Sequence, residues 1–359
     1  MKVCVIGTRG FPQMEGGVEK HCESLYMALT KKENIKITVF RRKSYVKDTS
    51  FYENIKFIDL PSTRIKGLET VIHSFFSTIE AIMSRPNIIH FHNIGPAMFI
   101  PLAKIFRIPT VLTYHSPNYE HEKWGWLTKK LLLLCEKIAL KYADKIIFVN
   151  SYQMMKYSNE IKEKSIYIPN GILKPAFPKR YNFLEKLSIF PGKYILSVGR
   201  ITPEKDYDTL IKGYKIANLL GYKLVIAGGV GFENTYMKTL KKLCIDTDVI
   251  FTGSVFGNDL SQLYANAAVY VLASKNEGFP LALLEAMSYE LDVLVSDIPA
   301  THLVNLNEDD YFSLGNYKEL GKKLRLKTKN IKKRKYELVD FDWDEIADKV
   351  FQIYINIAS

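Results

Sequence analysis

Short apolar, β-branched runs alternate with amphipathic segments along this chain in two successive series, and that alternation constrains the fold more than any other feature. In the first series the runs fall at Lys2–Ile6, Lys36–Phe40, Ile55–Leu60, Ile88–His92, Thr110–Tyr114, Lys145–Val149 and Ser165–Ile168. Between them lies helical periodicity over Val18–Thr30, Thr70–Ser84, Met98–Phe106, Trp124–Ala143 and Gln153–Asn159. The second series has runs at Tyr194–Val198, Lys223–Ala227, Val249–Thr252, Ala268–Leu272 and Val293–Ser296. Its helical segments are Asp208–Leu219, Thr235–Cys244, Ser261–Ala267, Leu281–Tyr289, Tyr317–Thr328 and Trp343–Ile355. Strands alternating with helices specify parallel sheets covered by helices, with ligands at the carboxyl ends of the strands. Two series in 359 residues imply an α/β chain of two doubly wound, Rossmann-like domains facing a cleft. The expected division is 1–168 and 169–342, with the join at Pro169-Asn170-Gly171 and a loose, basic, proline-bearing stretch over Leu173–Pro191.

Several function classes drop out on composition. No apolar run approaches the 18 residues of a spanning helix; the strongest, Leu131–Leu134, is framed by Lys129, Lys130, Glu136 and Lys137. The apolar start Val3–Ile6 is too short for a secretory signal and reads as a first strand. Cys4, Cys22, Cys135 and Cys244 are scattered with no C-x-x-C pair, which suits a reducing cytoplasm and argues against disulfides or structural zinc. The net charge of +12 is uneven: residues 1–170 hold 25 Lys and Arg against 15 acids, the remainder 25 against 23. Either a basic first half serves an anionic partner, a lipid surface or a phosphorylated substrate, or its excess lysine simply solvates the surface.

Chemistry concentrates in loops that follow strands. The run Ser274 to Ser288 contains Glu277, then Gly278-Phe279-Pro280, then a helix from Leu281 that carries Glu285. A glycine and a proline before a helix suit a tight turn, with Pro280 at the first helical position and free amides offered to a phosphate. Glu277 and Glu285 stand roughly 10 Å apart if the latter is helical. That is too far for two acids to share a proton and wider than the carboxylate gap of a retaining glycosidase, so they should touch different parts of one long ligand. After Tyr194–Val198 come Gly199-Arg200 and, five residues on, Lys205. Arginine forks onto phosphate oxygens and lysine adds a point charge, so the pair could neutralise a departing diphosphate. Gly16-Gly17 lead into the first helix and offer amides to a phosphate or a sugar. His115, just past Thr110–Tyr114, stands where an α/β site forms and could meet a sugar hydroxyl. The D-x-D runs Asp246–Asp248 and Asp340–Asp342 do not close a hydrophobic strand, and Asp342 or Asp344 would cap the last helix. There is no P-loop and no complete G-x-G-x-x-G after the first strand.

Taken together, these residues resemble a retaining glycosyltransferase of family 4, bacterial surface-polysaccharide type, with the GT-B architecture. The resemblance covers essentially the whole chain and rests on Gly16-Gly17-Val18-Glu19, His115, Pro169-Asn170-Gly171, Gly199-Arg200 with Lys205, Ala227-Gly228-Gly229, Phe251-Thr252-Gly253, and the E-x7-E pair Glu277 and Glu285. It implies that Arg200 and Lys205 bind the diphosphate of a nucleotide-sugar. Glu277, with the amides after Gly278 and the segment Gly278, Phe279, Pro280 and Leu281, would hold the transferred sugar, and Glu285 the ribose. Gly16 and Gly17 would sit against the phosphates, His115 near the sugar, and Ser254 and Val255 beside the base. It further implies retention without metal or cofactor, an acceptor bound by the N-terminal domain, and a final helix, within 343–359, that packs back on that domain. Where the family carries a glycine and a proline after the second glutamate, this chain has Leu291 and Asp292.

The leading expectation is therefore sugar transfer from a nucleotide-sugar to a lipid-linked or polysaccharide acceptor of a cell-surface glycan. It would occur in the cytoplasm, with attachment at the inner membrane face through the basic first half. Trp124-Gly125-Trp126-Leu127 ahead of Lys129 and Lys130 suits an interfacial helix or an ordinary amphipathic one. The alternatives are a phosphorylase, a nucleotide-sugar epimerase or a basic nucleic-acid-binding protein. No recognised nucleic-acid module supports the last, and nucleic acid is not an expected partner.

Overall fold

The computed structural model describes residues 1–358 apart from 13, 15, 47–51, 64, 66, 67, 118, 120–124 and 231–234. It divides into two compact units, Met1–Gly171 with Val339–Ser359, and Ile172–Leu338.

The first unit is built on seven strands: β1 (Lys2–Ile6), β2 (Lys36–Arg42), β3 (Ile55–Leu60), β4 (Ile88–His92), β5 (Thr110–Tyr114), β6 (Lys145–Phe148) and β7 (Ser165–Tyr167). All are parallel, in the order β3-β2-β1-β4-β5-β6-β7. Strand order reverses between β1 and β4, the switch point at which open α/β sheets bind ligands. Gly7 ends β1 with φ 114°, and a Cβ there would lie 2.1 Å from the carbonyl oxygen of His92, so only glycine lets the two strand ends approach. Helix α1 (Gly17–Leu29) and the final helix Trp343–Ala358 cover one face, where Leu25, Tyr26 and Leu29 pack with Ile346, Val350 and Tyr354 on Val3 and Val5. Helices α2 (Leu68–Met83), α3 (Ile100–Ile105) and α4 (Trp126–Tyr142) cover the other, through Ala81, Ala103, Ala139 and Leu140 on Ile6, Ile89 and Leu112. The helix expected over Gln153–Asn159 is instead two short ones, Ser151–Met155 and Asn159–Glu163, the first capped by the Asn150 side chain on Gln153 N at 3.1 Å. Trp124 lies outside the described residues.

The second unit carries six parallel strands: β8 (Tyr194–Val198), β9 (Lys223–Ala227), β10 (Val249–Gly253), β11 (Val269–Leu272), β12 (Val293–Ser296) and β13 (Tyr311–Phe312). Their order is β10-β9-β8-β11-β12-β13, with its switch point between β8 and β11. The sequence pattern misses β13, because two residues carry no periodicity; the strand exists through its pairing of Tyr311 and Phe312 with Val295 and Ser296. The stretch expected to be loose contains a helix, Asn182–Lys186, tied down by Gln262, which accepts from Phe183 N at 2.9 Å and donates to Asn182 at 3.0 Å. Helices Tyr207–Ala217 and Tyr317–Lys329 meet at Gly213 and Gly321, where a Cβ would stand 2.7 Å from Leu320 and 2.8 Å from the Gly213 carbonyl respectively. Among the described residues no helix is long and apolar enough to cross a membrane.

Candidate active site

The loops after β8 and β11, on either side of the second switch point, bring two of the expected residues into direct contact. The chain leaves β8 through Gly199, against which Gly228 at the end of β9 packs so closely that a Cβ on Gly228 would fall 1.9 Å from the Gly199 carbonyl oxygen. Ile201 N then donates to Gly229 O at 2.9 Å, so the outgoing loop is held to the neighbouring strand end. A short 3-10 turn, Pro203–Lys205, follows, and Asp206 in left-handed backbone (φ 48°) redirects the chain into the Tyr207–Ala217 helix. This turn aims Lys205 at Glu277, to which Nζ donates at 2.5 Å. Ser274 Oγ donates to the same oxygen at 2.6 Å, and Ser296 Oγ of β12 holds the Ser274 carbonyl at 2.6 Å. Lys275 N closes the stitch on Glu204 O at 2.8 Å. Arg200 is exposed and has no ion-pair partner among the described residues, so its guanidinium is available to an anion.

The turn before the next helix departs from expectation. Pro280 is the N-cap, not the first helical residue, and its φ −84° and ψ 71° are those of an inverse γ-turn. The turn closes Leu281 N on Phe279 O at 3.0 Å, while Leu283 N and Leu284 N go to the Pro280 carbonyl at 3.0 and 3.2 Å. Of the residues expected to offer a free amide, Leu281 is thus engaged within the turn. Glu285 projects from the middle of the Leu281–Ser288 helix and accepts from the Tyr264 hydroxyl at 2.8 Å. Tyr264 is buried and stacks on Tyr289 with ring centroids 5.5 Å apart. Burial first, and then the Glu285 charge, push its hydroxyl well above the ordinary tyrosine range, so it stays a donor to the carboxylate. Glu277 and Glu285 have separate partners, in keeping with contacts to different parts of a ligand. Ser254 and Val255 follow β10, the edge strand two places from β8, and no hydrogen bond joins them to the Lys205–Glu277 group.

In the first unit, Gly16 precedes α1 and Gly17 is its first residue. A Cβ on Gly16, where φ is 141°, would lie 2.1 Å from Glu19 Oε2 and 2.8 Å from Arg9 Nη2. Glu19, 6% exposed, accepts from Arg9 Nε and Nη2 at 2.9 and 3.1 Å and so ties the loop after β1 to the first turn of α1. That pair is a site feature the sequence pattern did not single out.

His115 lies past the end of β5 and is 7% exposed, but it does not stand alone. Its Nε2 is 3.1 Å from His92 Nδ1; His92 Nε2 is 2.6 Å from the Tyr26 hydroxyl; that hydroxyl is 3.1 Å from His90 Nδ1. His90 Nε2 ends the chain 2.7 Å from Thr113 Oγ1, and Tyr354 of the final helix lies 2.6 Å from His90 Nδ1. A neutral imidazole has one donor and one acceptor nitrogen, so the tautomer of His115 is coupled through His92 to the orientation of the Tyr26 hydroxyl. His21 sits edge-on to His115 with centroids 4.7 Å apart, its Nδ1 2.6 Å from Asn170 Oδ1 and its ring against Trp343. Burial holds His21 down to about 4, and pushes His90, His92 and His115 well below the usual histidine range with help from their neighbours' charges. All four are neutral imidazoles at neutral pH. The signal for this cluster was present in His90-Phe91-His92, two histidines on one face of an otherwise apolar strand.

His21, His92 and His115 are also the one group among the described residues whose ligand atoms, all within 4.8 Å, could enclose a cation. Hydrogen bonds engage both ring nitrogens of His92, Nε2 of His115 and Nδ1 of His21, while His21 Nε2 is buried with no hydrogen-bond partner among the described residues.

Comparison with known proteins gives this geometry a family. The profile described as glycosyl transferases group 1 matches residues 183–336, and that described as glycosyltransferase family 4 matches residues 15–172. The chain belongs to the family 4 glycosyltransferases. An uncharacterised glycosyltransferase of Methanocaldococcus jannaschii is 28% identical over 329 residues, 83% of this chain and 81% of the relative. The alpha-monoglucosyldiacylglycerol synthase of Streptococcus pneumoniae is 27% identical over 347 residues, 89% of this chain and 76% of that one. Among solved structures, Anabaena HepE in complex with UDP and glucose superposes with a TM-score of 0.78 at 17% identity, covering 99% of this chain and 100% of HepE. At that identity the likeness is one of fold. Two Rossmann-like sheets of seven and six parallel strands make this glycosyltransferase a member of the GT-B architecture.

Proposed function

We propose that this glycosyltransferase moves a sugar from a nucleotide-sugar to a lipid-linked acceptor of a cell-surface glycan, with retention of anomeric configuration and without metal. The observation that carries the reading is the Lys205–Glu277 ion pair, closed by Ser274, with the exposed Arg200 five residues before Lys205 in the same loop. An ammonium already balanced by a carboxylate can be shared with an incoming diphosphate, which releases Glu277 to accept from sugar hydroxyls. As the bond from the anomeric carbon to the phosphate oxygen breaks, negative charge grows on that oxygen. Lys205 and Arg200 stabilise it there, in the role a metal would otherwise fill. Glu285, oriented by Tyr264, takes the ribose hydroxyls; Ser254 and Val255 border the base. Gly16 and Gly17 meet the phosphates, and His115 offers its neutral ring to the sugar. The acceptor oxygen attacks on the face that the diphosphate leaves. The name of the pneumococcal relative, a glycolipid synthase, supports a lipid-borne acceptor.

A panel of nucleotide-sugars screened by thermal shift identifies the donor, because a ligand that binds only the folded state raises its melting point. With that donor, Lys205→Ala and Glu285→Ala are expected to lose transfer while remaining folded, and EDTA to leave the wild-type rate unchanged. Transfer near the wild-type rate in either variant would contradict the assignment of these residues. Proton NMR of the product would show the donor's anomeric configuration; an inverted product rules out retention.

A further inference from the structure

Three histidines from three elements meet in the interior of the first unit: His21 on α1, His92 at the end of β4, and His115 just past β5. They are 3%, 0% and 7% exposed, so bulk water does not surround them. His21 Nδ1 stands 2.6 Å from Asn170 Oδ1, an oxygen that can only accept. The ring proton is therefore on Nδ1, and Nε2 carries a bare lone pair. That nitrogen is buried with no hydrogen-bond partner among the described residues. A buried acceptor left unpaired is costly, and one aimed at two further imidazoles calls for an occupant.

The other two rings are arranged to share it. His92 Nε2 is held 2.6 Å from the Tyr26 hydroxyl, while its Nδ1 faces His115 Nε2 at 3.1 Å. Nitrogens that share a tetrahedral ion at bond lengths of ~2.0–2.1 Å stand about 3.3 Å apart, so this pair is already spaced as two ligands. The His21 ring crosses the other two at 63° and 87°, which supplies the third direction such an ion needs. All three ligand atoms lie within 4.8 Å of one another, so closing on an ion asks His21 Nε2 to approach by at most about 1.5 Å.

The donor set selects the ion. Three neutral imidazoles with no carboxylate or thiolate among them suit a first-row divalent ion such as Zn²⁺, and do not suit Mg²⁺, which takes oxygen ligands. A histidine that binds a metal orders its other nitrogen on a polar partner, the places that Asn170 and Tyr26 occupy here. The proton between His92 Nδ1 and His115 Nε2 passes to the far nitrogen of its own ring, so every ligand stays a neutral imidazole.

We propose that His21, His92 and His115 form a Zn²⁺ site in the first unit, with a water in the fourth position. The ion ties α1 to the ends of β4 and β5. Lys205 and Arg200 belong to the second unit, so the ion takes no part in neutralising the diphosphate, and departure of the diphosphate without metal is a separate reading.

The test uses the full chain without a histidine tag, stripped with EDTA and titrated with zinc chloride by calorimetry, with thermal melts alongside. One ion per chain is expected, with a melting temperature raised by Zn²⁺ and unmoved by Mg²⁺. Asn170→Ala should weaken the affinity about 10- to 100-fold and His21→Gln by more, while His302→Ala, at the exposed His302–Asp297 pair, should leave it unchanged. Co²⁺ in place of Zn²⁺ should give the strong visible absorption of a tetrahedral site, a readout on the wild type that needs no variant to fold. Absence of any zinc-dependent shift, the result if a water sits against His21 Nε2, overturns the proposal. So do equal affinities in wild type and His21→Gln, loss of binding in His302→Ala, or the weak absorption of octahedral Co²⁺.

Discussion

Each unit buries a polar cluster, and the two clusters differ in kind, although the first unit also buries paired charges at Glu19 and Arg41 and the second the neutral hydroxyl of Tyr264. In the first, His90, His92 and His115 sit in the interior as neutral rings linked by hydrogen bonds directly and through Tyr26, with His21 edge-on to His115. In the second, Asp292, Asp310, Lys327 and Arg334 form a cluster of ion pairs. Lys327 bridges Asp292 and Asp310 at 2.7 and 2.9 Å, and Arg334 closes on Asp310 at 2.5 Å, with both aspartates 2% exposed. Burial alone would raise the Asp310 carboxyl, but the hydrogen bonds from Lys327 and Arg334 outweigh it and hold the group below its ordinary range. A neutral network tolerates a proton moving along it but not a proton added to it. An ionic one tolerates charge but not the loss of a partner.

The largest effect should come from breaking the ionic network. Asp310→Ala leaves Lys327 and Arg334 short of a buried counter-ion and is expected to destabilise the second unit by about 3–5 kcal/mol in urea unfolding. A loss under 1 kcal/mol would mean that water already reaches the group. Close behind, Lys205→Ala should lower transfer by about 10²–10³-fold, the cost of removing one preorganised stabiliser of developing charge.

Acid separates the units further. His21 protonates near 6.5 when unfolded and at about 4 when folded. Its contribution is therefore whole above pH 6.5 and falls as pH drops toward 4, by about 3 kcal/mol from this residue. The other buried histidines shift the same way and add to it. The depressed Asp310 behaves differently: its contribution persists above its unfolded value of 3.8 and is lost only as pH falls through the lower folded value. Hydrogen exchange at pH 5 should show weakened protection in β1, β4 and β5 with β8, β11 and β12 unchanged. Uniform weakening would contradict the contrast. The smallest effect is expected for Tyr354→Phe, which removes one hydrogen bond to His90 and about 1 kcal/mol from the first unit.

How much of this was legible in the chain follows from range. Twelve strands are visible because each is a continuous β-branched run; β13 is two residues long and exists only through its partner. Gly199, Arg200, Lys205, Glu277 and Glu285 could be picked out because each lies just beyond, or on the helix after, a strand end. That Lys205 and Glu277 touch could not be read, since they are 72 residues apart and meet only because β8 and β11 are adjacent. The Leu281 amide looks free in a generic strand-to-helix turn, yet the γ-turn at Pro280 closes it on Phe279 O. The unusual Leu291-Asp292 also finds its reason in space: Asp292 is the buried partner of Lys327, which lies on a helix far along the chain. His115 was singled out by position, whereas its relay draws Tyr26 and Tyr354 from helices at opposite ends of the sequence.

The central claim is that Lys205 holds the diphosphate. Calorimetric titration of a panel of nucleoside diphosphates into the wild type and Lys205→Ala tests it without any acceptor. At least one should bind the wild type, with affinity falling as salt rises, and bind the variant at least tenfold more weakly. Equal affinity for that ligand in both proteins would contradict the claim.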